Sequence, residues 1–223
     1  MMNFLVETHM HTKPVSLCAQ STGAEMARAY KAAGYSAVFV TDHFFNGNCY
    51  VPRDQGWEKR VEMFTRGYLE AKAEGEKIGL SVFFAWETGA MPSEFLTYGI
   101  DVDYLLAHPD IAEWSAKEYI ERIHAAGGFI SQAHPFREAG FLYGLHLYPE
   151  AGVCESFNAH NRPAFNRRAA AYALEYGLLQ TCGSDCHDAA NVGKTGMLFP
   201  APIRDSRDFI EAVKTGQCEL SIA

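Results

Sequence analysis

The chain has 223 residues, of which 48% are hydrophobic and 21% are charged. This balance excludes a disordered chain, because it supplies ample apolar material for a packed core. The formal net charge of -8 at pH 7 disfavours an extended nucleic-acid surface or an anionic-membrane surface, so we expect a small molecule as the partner. The length favours one domain over residues 1–223 and predicts nothing about the oligomeric state.

Cysteine usage indicates the redox environment of the chain. The sequence contains six cysteines, but it has no basic-then-apolar leading segment and no long apolar span. We therefore expect free thiols, a cytoplasmic location and no membrane association. Most of the six are expected to be small buried residues.

Short apolar runs rich in β-formers alternate with amphipathic stretches, which predicts repeated βα units and a parallel sheet. The predicted strands are residues 4–6, 37–40, 82–86, 104–106, 129–133 and 178–182. The predicted helices are residues 24–33, 57–78, 115–126, 163–176 and 205–214, each followed within two residues by a glycine suited to a helix C-terminus. With about 30 residues per unit, the length accommodates about seven units, so we predict a slightly irregular seven-stranded α/β barrel.

Polar residues that bind metals well follow most of the predicted strands. His9 and His11 are two residues apart, so both rings project to the same side of a strand. Asp185 and His187 repeat this spacing after the last long apolar run. Because barrels carry their chemistry at strand ends, these imidazoles and carboxylates should converge at one mouth. The pattern predicts a site for several metal ions.

The strands between these two pairs supply single candidates. His43 is expected to ligate, while Asp42 either accepts its second ring N–H or caps the following turn. Glu87 ends an apolar run, where a buried charge needs a partner, and its two oxygens suit a bridge between ions. His108 and His134 each precede a proline, which holds a strand end extended, and both are predicted ligands. A seventh histidine, mid-helix His124, is expected to have a packing or surface role.

Taken together, these motifs resemble the PHP family, the polymerase-associated and histidinol-phosphatase domains. The shared features are His-x-His at the first strand, Thr-Asp-His at the second, a strand-terminal glutamate, a histidine before each of two prolines, and Ser-Asp-x-His near the end. The resemblance covers residues 1 to about 200. It implies a distorted (β/α)7 TIM-like barrel that holds two or three divalent ions, zinc, manganese or iron, and hydrolyses phosphate esters.

The resemblance also implies how the donors are divided among the ions. His9, His11, Glu87 and Asp185 would hold one ion, Glu87, His108 and His134 a second, and Cys18, His43 and His187 a third. Members of the family commonly have aspartate or histidine where this chain has Cys18. A thiolate ligand and a small buried thiol are both open at this position, and occupancy of the third site depends on which is present.

The implied reaction is hydrolysis of a phosphomonoester or a small phosphodiester by a metal-bound hydroxide, with Asp42, Glu87 and Asp185 as the carboxylates of the catalytic centre. Three cations in or near loops are able to bind substrate phosphate oxygens: Arg137, Arg162 and Lys194. One alternative is an amidohydrolase-type C–N hydrolase, although the strand-end lysine that often bridges metals in that class is absent from the sequence. The other is a non-catalytic metal-binding module.

Overall fold

A computed structural model describes residues 4–89, 93–138, 144–193 and 195–222. These residues form a sheet of nine strands in the order β7-β6-β5-β4-β3-β2-β1-β8-β9. The strands are β1 (Phe4–Met10), β2 (Ala37–Val40), β3 (Ser81–Thr88), β4 (Phe95–Tyr98), β5 (Phe129–Gln132), β6 (Val153–Asn158), β7 (Leu179–Gly183), β8 (Gly196–Phe199) and β9 (Glu219–Ser221).

The direction of the strands determines which ends share an edge of the sheet. Strands β1, β2 and β3 are parallel, as are β5, β6 and β7. Strand β4 is antiparallel to both β3 and β5, so the two parallel groups run in the same direction. Strands β8 and β9 continue the sheet beyond β1 in antiparallel pairings. The C-terminal ends of six strands therefore lie at one edge, together with the N-terminal end of β4.

Backbone hydrogen bonds between the ends of β1 and β7 almost close the sheet into a barrel. His11 N donates to Cys186 O at 2.9 Å, and Asp185 N donates to His9 O at 2.8 Å. The prediction of an irregular α/β barrel is therefore confirmed. The expectation of an entirely parallel sheet is wrong, because β4, β8 and β9 run antiparallel.

Seven α-helices lie among the described residues: α1 (Gly23–Ala32), α2 (Trp57–Phe64), α3 (Arg66–Ile78), α4 (Val102–Ala107), α5 (Ala116–Ala125), α6 (Pro163–Glu175) and α7 (Ser206–Lys214). The predicted helix 57–78 is divided at Thr65, whose hydroxyl donates to Val61 O at 3.2 Å and to Glu62 O at 3.1 Å. Such back-bonding commonly bends a helix. None of the described helices has the length and apolar character needed to cross a bilayer.

The predicted strand at residues 104–106 is wrong, because these residues belong to α4. The side chain of Asp101 accepts a hydrogen bond from Tyr104 N at 2.9 Å, which satisfies a free N–H group of the first helical turn. The fourth strand of the barrel is instead β4, which the sequence analysis did not predict. It also did not predict β6.

Helix α7 closes the end of the barrel opposite the strand ends that carry the predicted ligands. The ring of Phe209 packs against the rings of Phe39, Tyr98, Phe129 and Phe199, at centroid distances of 4.7, 5.1, 6.2 and 5.9 Å. This buried aromatic cluster fills the interior with side chains, as in other small barrels. One mouth of the barrel is therefore sealed, and the polar residues lie at the other.

Helix α3 approaches the polar end of the barrel closely through Gly67. A Cβ atom at this position would overlap Thr12 Oγ1 and would lie 2.7 Å from Asp42 Oδ2. Thr12 and Asp42 are hydrogen-bonded to each other, with Thr12 N donating to Asp42 Oδ1 at 2.6 Å. The absence of a side chain at Gly67 therefore lets the helix pack directly on the segment that follows β1.

Candidate metal centre

Imidazole and carboxylate groups meet at the open mouth of the barrel. His9 Nε2 lies 3.1 Å from His11 Nε2, 3.4 Å from Glu87 Oε1 and 3.5 Å from Asp185 Oδ1. His11 Nε2 lies 3.2 Å from Asp185 Oδ1. All four side chains are almost completely buried. The structure therefore brings together the four residues assigned by the resemblance to one ion.

Glu87 lies at the centre of this cluster. Its Oε1 is 2.9 Å from His134 Nε2, and its Oε2 is 2.8 Å from His43 Nδ1 and 3.6 Å from His11 Nε2. Oε2 nevertheless accepts no hydrogen bond of acceptable geometry from the described residues. A buried carboxylate whose two oxygens face different imidazoles has the arrangement of a bridging ligand.

The protonated nitrogen of His11 is determined by a hydrogen-bonded pair of side chains. Ser16 Oγ donates its one proton to Asp42 Oδ1 at 2.7 Å, so it can only accept from His11 Nδ1, which lies 3.3 Å away. The lone pair of His11 is then on Nε2 and faces the cluster. Nε2 of His9 faces this atom at 3.1 Å, and imidazole nitrogens that converge in this way beside carboxylates fit a metal ion.

The predicted contact between Asp42 and the ring of His43 is wrong in this structure. Asp42 accepts hydrogen bonds from Thr12 and Ser16, and burial raises the pKa of its carboxyl to about 6 despite these bonds. The two ring nitrogens of His43 face Glu87 and Cys18 instead. Asp42 therefore acts on the centre through Ser16, which also accepts the backbone N–H of His43 at 3.0 Å.

Cys18 lies beside two of the predicted ligands at the exposed rim of the centre. Its Sγ is 3.2 Å from His43 Nε2 and is also hydrogen-bonded to His187. Burial would raise the pKa of the thiol, but the bonds to His187 and His43 lower it to about 6. His187 Nδ1 contacts Asp185 O at 2.8 Å, which leaves Nε2 to face the thiol. The pKa favours the thiolate, the form that binds zinc.

The structure does not bring His108 to the centre. This residue follows helix α4, with Nδ1 2.8 Å from Tyr104 O, and its ring stacks on Tyr104 at 4.0 Å. Its ring also packs against the edge of Trp114. Among the described residues, His108 belongs to none of the groups whose atoms are close enough to share an ion. The prediction of His108 as a ligand is therefore wrong, because the residues before it form a helix rather than a strand.

Glu94 lies at the centre and was missed by the sequence analysis. It directly precedes β4, whose N-terminal end lies at the mouth because the strand is antiparallel. Its Oε2 is 3.7 Å from His134 Nδ1, and it forms a possible metal-binding group with His43 and Glu87. The available signal was a glutamate directly before the apolar run 95–98.

Two further buried glutamates were also missed. Glu7 Oε1 accepts hydrogen bonds from the backbone N–H groups of Thr8, His9 and Ser184, at 2.9, 2.8 and 3.0 Å. These bonds cap an irregularity in β1, and bulges beside active sites commonly redirect side chains. Glu155 lies on β6 and contacts His9 Nδ1 at 2.8 Å. Both follow or interrupt short apolar runs, and that signal was available in the sequence.

Two of the clustered residues have positive backbone φ angles, +27° at His134 and +56° at Asp185. Residues other than glycine adopt such angles at a cost of about 1–3 kcal/mol, and these outliers concentrate at functional sites. Each residue lies two positions beyond the end of a strand, His134 after β5 and Asp185 after β7. The strained backbone therefore coincides with residues that direct donors into the cluster.

The electrostatics of the centre favour cations. Burial would raise the pKa of Glu87, but the imidazoles of His9 and His43 lower it well below its usual range. Burial would likewise raise the pKa of Asp185, and His9, His11 and Arg137 lower it well below its usual range. Two buried carboxylates thus remain ionised, which suits them as ligands of divalent ions.

The predicted substrate-binding cations have different surroundings. Arg137 lies at the mouth, with Nη2 2.5 Å from Asp185 Oδ2 and 3.2 Å from Asn158 Oδ1. Arg162 is exposed and its guanidinium lies 5.8 Å from the centroid of the Phe165 ring. Lys194 lies outside the described residues. Only Arg137 is thus seen in contact with a residue of the centre.

Comparisons with known proteins find relatives of this fold. The model of the PHP-associated family matches residues 163–218. A two-domain protein from Bacteroides vulgatus, containing a predicted PHP-like metal-dependent phosphoesterase, is similar in structure with a TM-score of 0.68 and 16% identity. The chain is thus similar to the PHP-associated family over part of its sequence and to this protein in fold. The similarity covers 98% of this chain and 64% of the Bacteroides protein, so the chain spans slightly less than two thirds of that protein.

Two more solved structures share the fold of this chain. PsfC from Pseudomonas syringae has a TM-score of 0.65 and 20% identity, covering 94% of this chain and 88% of its own. An amidohydrolase from Chromobacterium violaceum with bound sulfate has a TM-score of 0.57 and 16% identity, covering 93% and 96%. No curated protein matches the chain by sequence. At these identities the similarities show the fold alone.

Proposed function

We propose that this chain is a metal-dependent phosphoesterase that hydrolyses a small phosphomonoester or a terminal phosphodiester. The observation that carries the proposal is the position of Glu87, whose two oxygens each contact a different set of imidazoles in a buried cluster. A carboxylate in this position would be able to hold two adjacent divalent ions, which would supply charge suited to phosphoryl chemistry.

The donors fall into three groups around Glu87. His9, His11 and Asp185 would hold one ion, and their donor atoms are within 4.8 Å of one another. His134 and Glu87 would hold a second, and Glu94, which lies close to Glu87 and His43, would supply a carboxylate beside it where His108 does not. Cys18, His43 and His187 would hold a third at the exposed rim. The mixed nitrogen, oxygen and sulfur donors suit zinc, manganese or iron.

When bound, divalent ions supply positive charge to the phosphoryl oxygens and lower the pKa of a water molecule. The residues of the chain orient and hold the other components. Arg137 is directed into the mouth, where its guanidinium is able to bind two phosphate oxygens in place of its contact with Asp185. Ser16 and Asp42 keep His11 in the tautomer that ligates. No side-chain nucleophile is required, because water attacks the phosphorus.

Removal and restoration of metal tests the proposed reaction. We expect dialysis against a chelator to abolish phosphate release from an aryl phosphate, and Zn²⁺, Mn²⁺ or Fe²⁺ to restore it. A cyclic amide tested in parallel distinguishes the alternative raised by the amidohydrolase of the same fold. Faster cleavage of the amide than of the phosphate ester, or phosphate release that survives complete metal removal, would contradict the proposal.

Cobalt substitution tests whether Cys18 is a ligand. Because the thiolate lies beside His43 and His187, we expect Co²⁺ to produce near-ultraviolet thiolate-to-cobalt charge-transfer absorption. C18S should abolish this absorption. The matched control is C49S, since Cys49 is half-buried and packs against the apolar core. Persistence of the absorption in C18S would show that another cysteine binds the ion. Absence of the absorption from the parent protein would show that no cysteine binds it.

A further inference from the structure

Glu155 lies on β6 directly beneath the centre and is 1% exposed. Its Oε1 accepts a hydrogen bond from His9 Nδ1 at 2.8 Å. Its Oε2 accepts from the backbone N–H of His134 at 3.0 Å and from Asn158 Nδ2 at 2.9 Å. One carboxylate therefore joins two candidate ligands that lie at the ends of different strands.

The contact with Glu155 determines which nitrogen of His9 carries the proton. An ionised carboxylate only accepts hydrogen bonds, so Nδ1 of His9 must be the donor. The lone pair of neutral His9 is then on Nε2, the atom that faces His11, Glu87 and Asp185. A carboxylate that orients a metal-binding histidine in this way also raises its basicity.

The second oxygen of Glu155 holds the backbone of His134. This residue has a φ of +27°, a conformation that non-glycine residues keep only when their surroundings impose it. The hydrogen bond from His134 N to Glu155 supplies that constraint, and Arg137 N donates to the carbonyl of His134 at 2.9 Å. Held in this way, the imidazole places Nε2 2.9 Å from Glu87 Oε1.

Asn158 extends the same network to a third candidate ligand. Its Nδ2 donates to Glu155 Oε2 at 2.9 Å and lies 3.3 Å from Asp185 Oδ2. Its Oδ1 accepts from Arg137 Nη2 at 3.2 Å. Glu155 is thus connected, directly or through one amide, to donors carried by β1, β5 and β7.

The backbone leaves room for the pair of His9 and Glu155 at Gly183. A Cβ atom at this position of β7 would lie 2.5 Å from His9 Cβ and 3.0 Å from Glu155 Oε1. A side chain here would displace one member of the pair, because real Cβ atoms do not approach other atoms so closely. The close approach of β7 therefore holds the two groups against each other.

We propose that Glu155 is a positioning residue that fixes the tautomer of His9 and the backbone of His134, and thereby determines the affinity of the centre for metal. This inference rests on the proposed function in assuming that the cluster binds metal. It goes beyond that function because Glu155 itself is not a ligand. Its effect on the reaction is exerted through His9 and His134.

The decisive substitution is Glu155→Gln, which preserves shape but replaces one acceptor oxygen with an NH2 group. If that group faces His9, the imidazole must switch to the Nε2–H tautomer and present a proton to the ion. If it faces His134, the NH2 group and the backbone N–H of His134 oppose each other as two donors, and the hydrogen bond that holds the positive φ of His134 is lost. We expect the affinity for Zn²⁺, measured by competition with a chromophoric chelator, to fall about 10–100-fold.

Glu7→Gln is the matched control, because Glu7 is also buried in the barrel below the centre. All its described hydrogen bonds go to Oε1, and a glutamine carbonyl oxygen accepts them equally well. We expect its affinity for Zn²⁺ to stay within about threefold of the parent, with similar far-UV circular dichroism for both variants. Parent-like affinity in Glu155→Gln would overturn the proposal.

A measurement on the parent protein tests the tautomer of His9 even if Glu155→Gln fails to fold. Nitrogen-15 shifts of the histidines, with His9 assigned by comparison with His9→Gln, should show His9 protonated at Nδ1 and unprotonated at Nε2 in the zinc-loaded chain. The opposite tautomer would overturn the proposal. A parent that binds no metal would overturn both proposals, whereas one that binds metal without hydrolysing phosphate esters would overturn only the proposed function.

Discussion

Replacing Asp185 with asparagine is expected to lower kcat/KM for an aryl phosphate by about a thousandfold or more, which corresponds to about 4 kcal/mol of transition-state stabilisation. Asp185 presents Oδ1 to His9 and His11 and Oδ2 to Arg137. Asparagine has a single acceptor oxygen. If this oxygen faces Arg137, the NH2 group faces the ion, and in the other orientation two donors oppose each other.

The backbone is expected to tolerate this change. Asp185 has a φ of +56°, and asparagine adopts this left-handed region more readily than most residues. The loss of activity should therefore occur without loss of the fold, as judged by circular dichroism. Asp101→Asn is the matched control, because Asp101 caps α4 at an exposed position and asparagine caps equally well. Full turnover in Asp185→Asn would show that the carboxylate of Asp185 is not needed for the reaction.

Replacing Gly67 with alanine is expected to destabilise the protein by at least about 2 kcal/mol, because the new Cβ would overlap Thr12 Oγ1 and press on Asp42 Oδ2. At this chain length the melting temperature should fall by roughly 4–8 °C. The affinity for metal should fall as well. Thr12 and Asp42 anchor the segment after β1, which includes Ser16 and Cys18.

The control for this packing effect is Gly56→Ala. Gly56 has a φ of −59° and an added Cβ would meet no atom within 4 Å. The melting temperature of the Gly56→Ala variant is expected to change by only about 1–3 °C, since only the helix cap is altered. Thermal melts of the metal-free proteins measure both effects. An unchanged or higher melting temperature for Gly67→Ala would show that α3 shifts away from the barrel without cost.

The sequence predicted the barrel and most of the centre because much of the information is local. His9 and His11 share one side of β1 through the two-residue period of a strand, and Asp185 and His187 repeat that spacing beyond β7. The helices were also predicted to within a residue at most ends, since apolar periodicity and a following glycine mark them. These features need no knowledge of partners distant in the chain.

His108 shows where prediction from neighbouring residues alone is wrong. The apolar run before it was compatible with a strand or a helix, and the cap at Asp101 favoured the helix. The direction of the strands could not be predicted from the sequence either. Since β4 runs antiparallel, Glu94 reaches the mouth from the beginning of a strand, whereas the predicted ligands follow the ends of strands.

Asp42 and Glu155 show a different limit. The role of Asp42 was predicted from its neighbour His43, and no role was predicted for Glu155. The contacts of both side chains are with residues distant in the chain. Asp42 contacts Ser16 rather than the adjacent His43, and Glu155 contacts His9 across 146 positions. Tertiary contacts of this kind determine tautomers and backbone strain, and propensity or periodicity does not encode them.

The junction of β1 and β7 has a consequence for how the centre is assembled. Glu7 and Ser184, whose contact helps to form this junction, are separated by 177 positions. Two candidate donors for one ion, His9 and His11, are thus synthesised long before a third, Asp185, which follows β7. An ion bound by these residues would join the two margins of the sheet, and nascent chains that stop before Asp185 could not form this link.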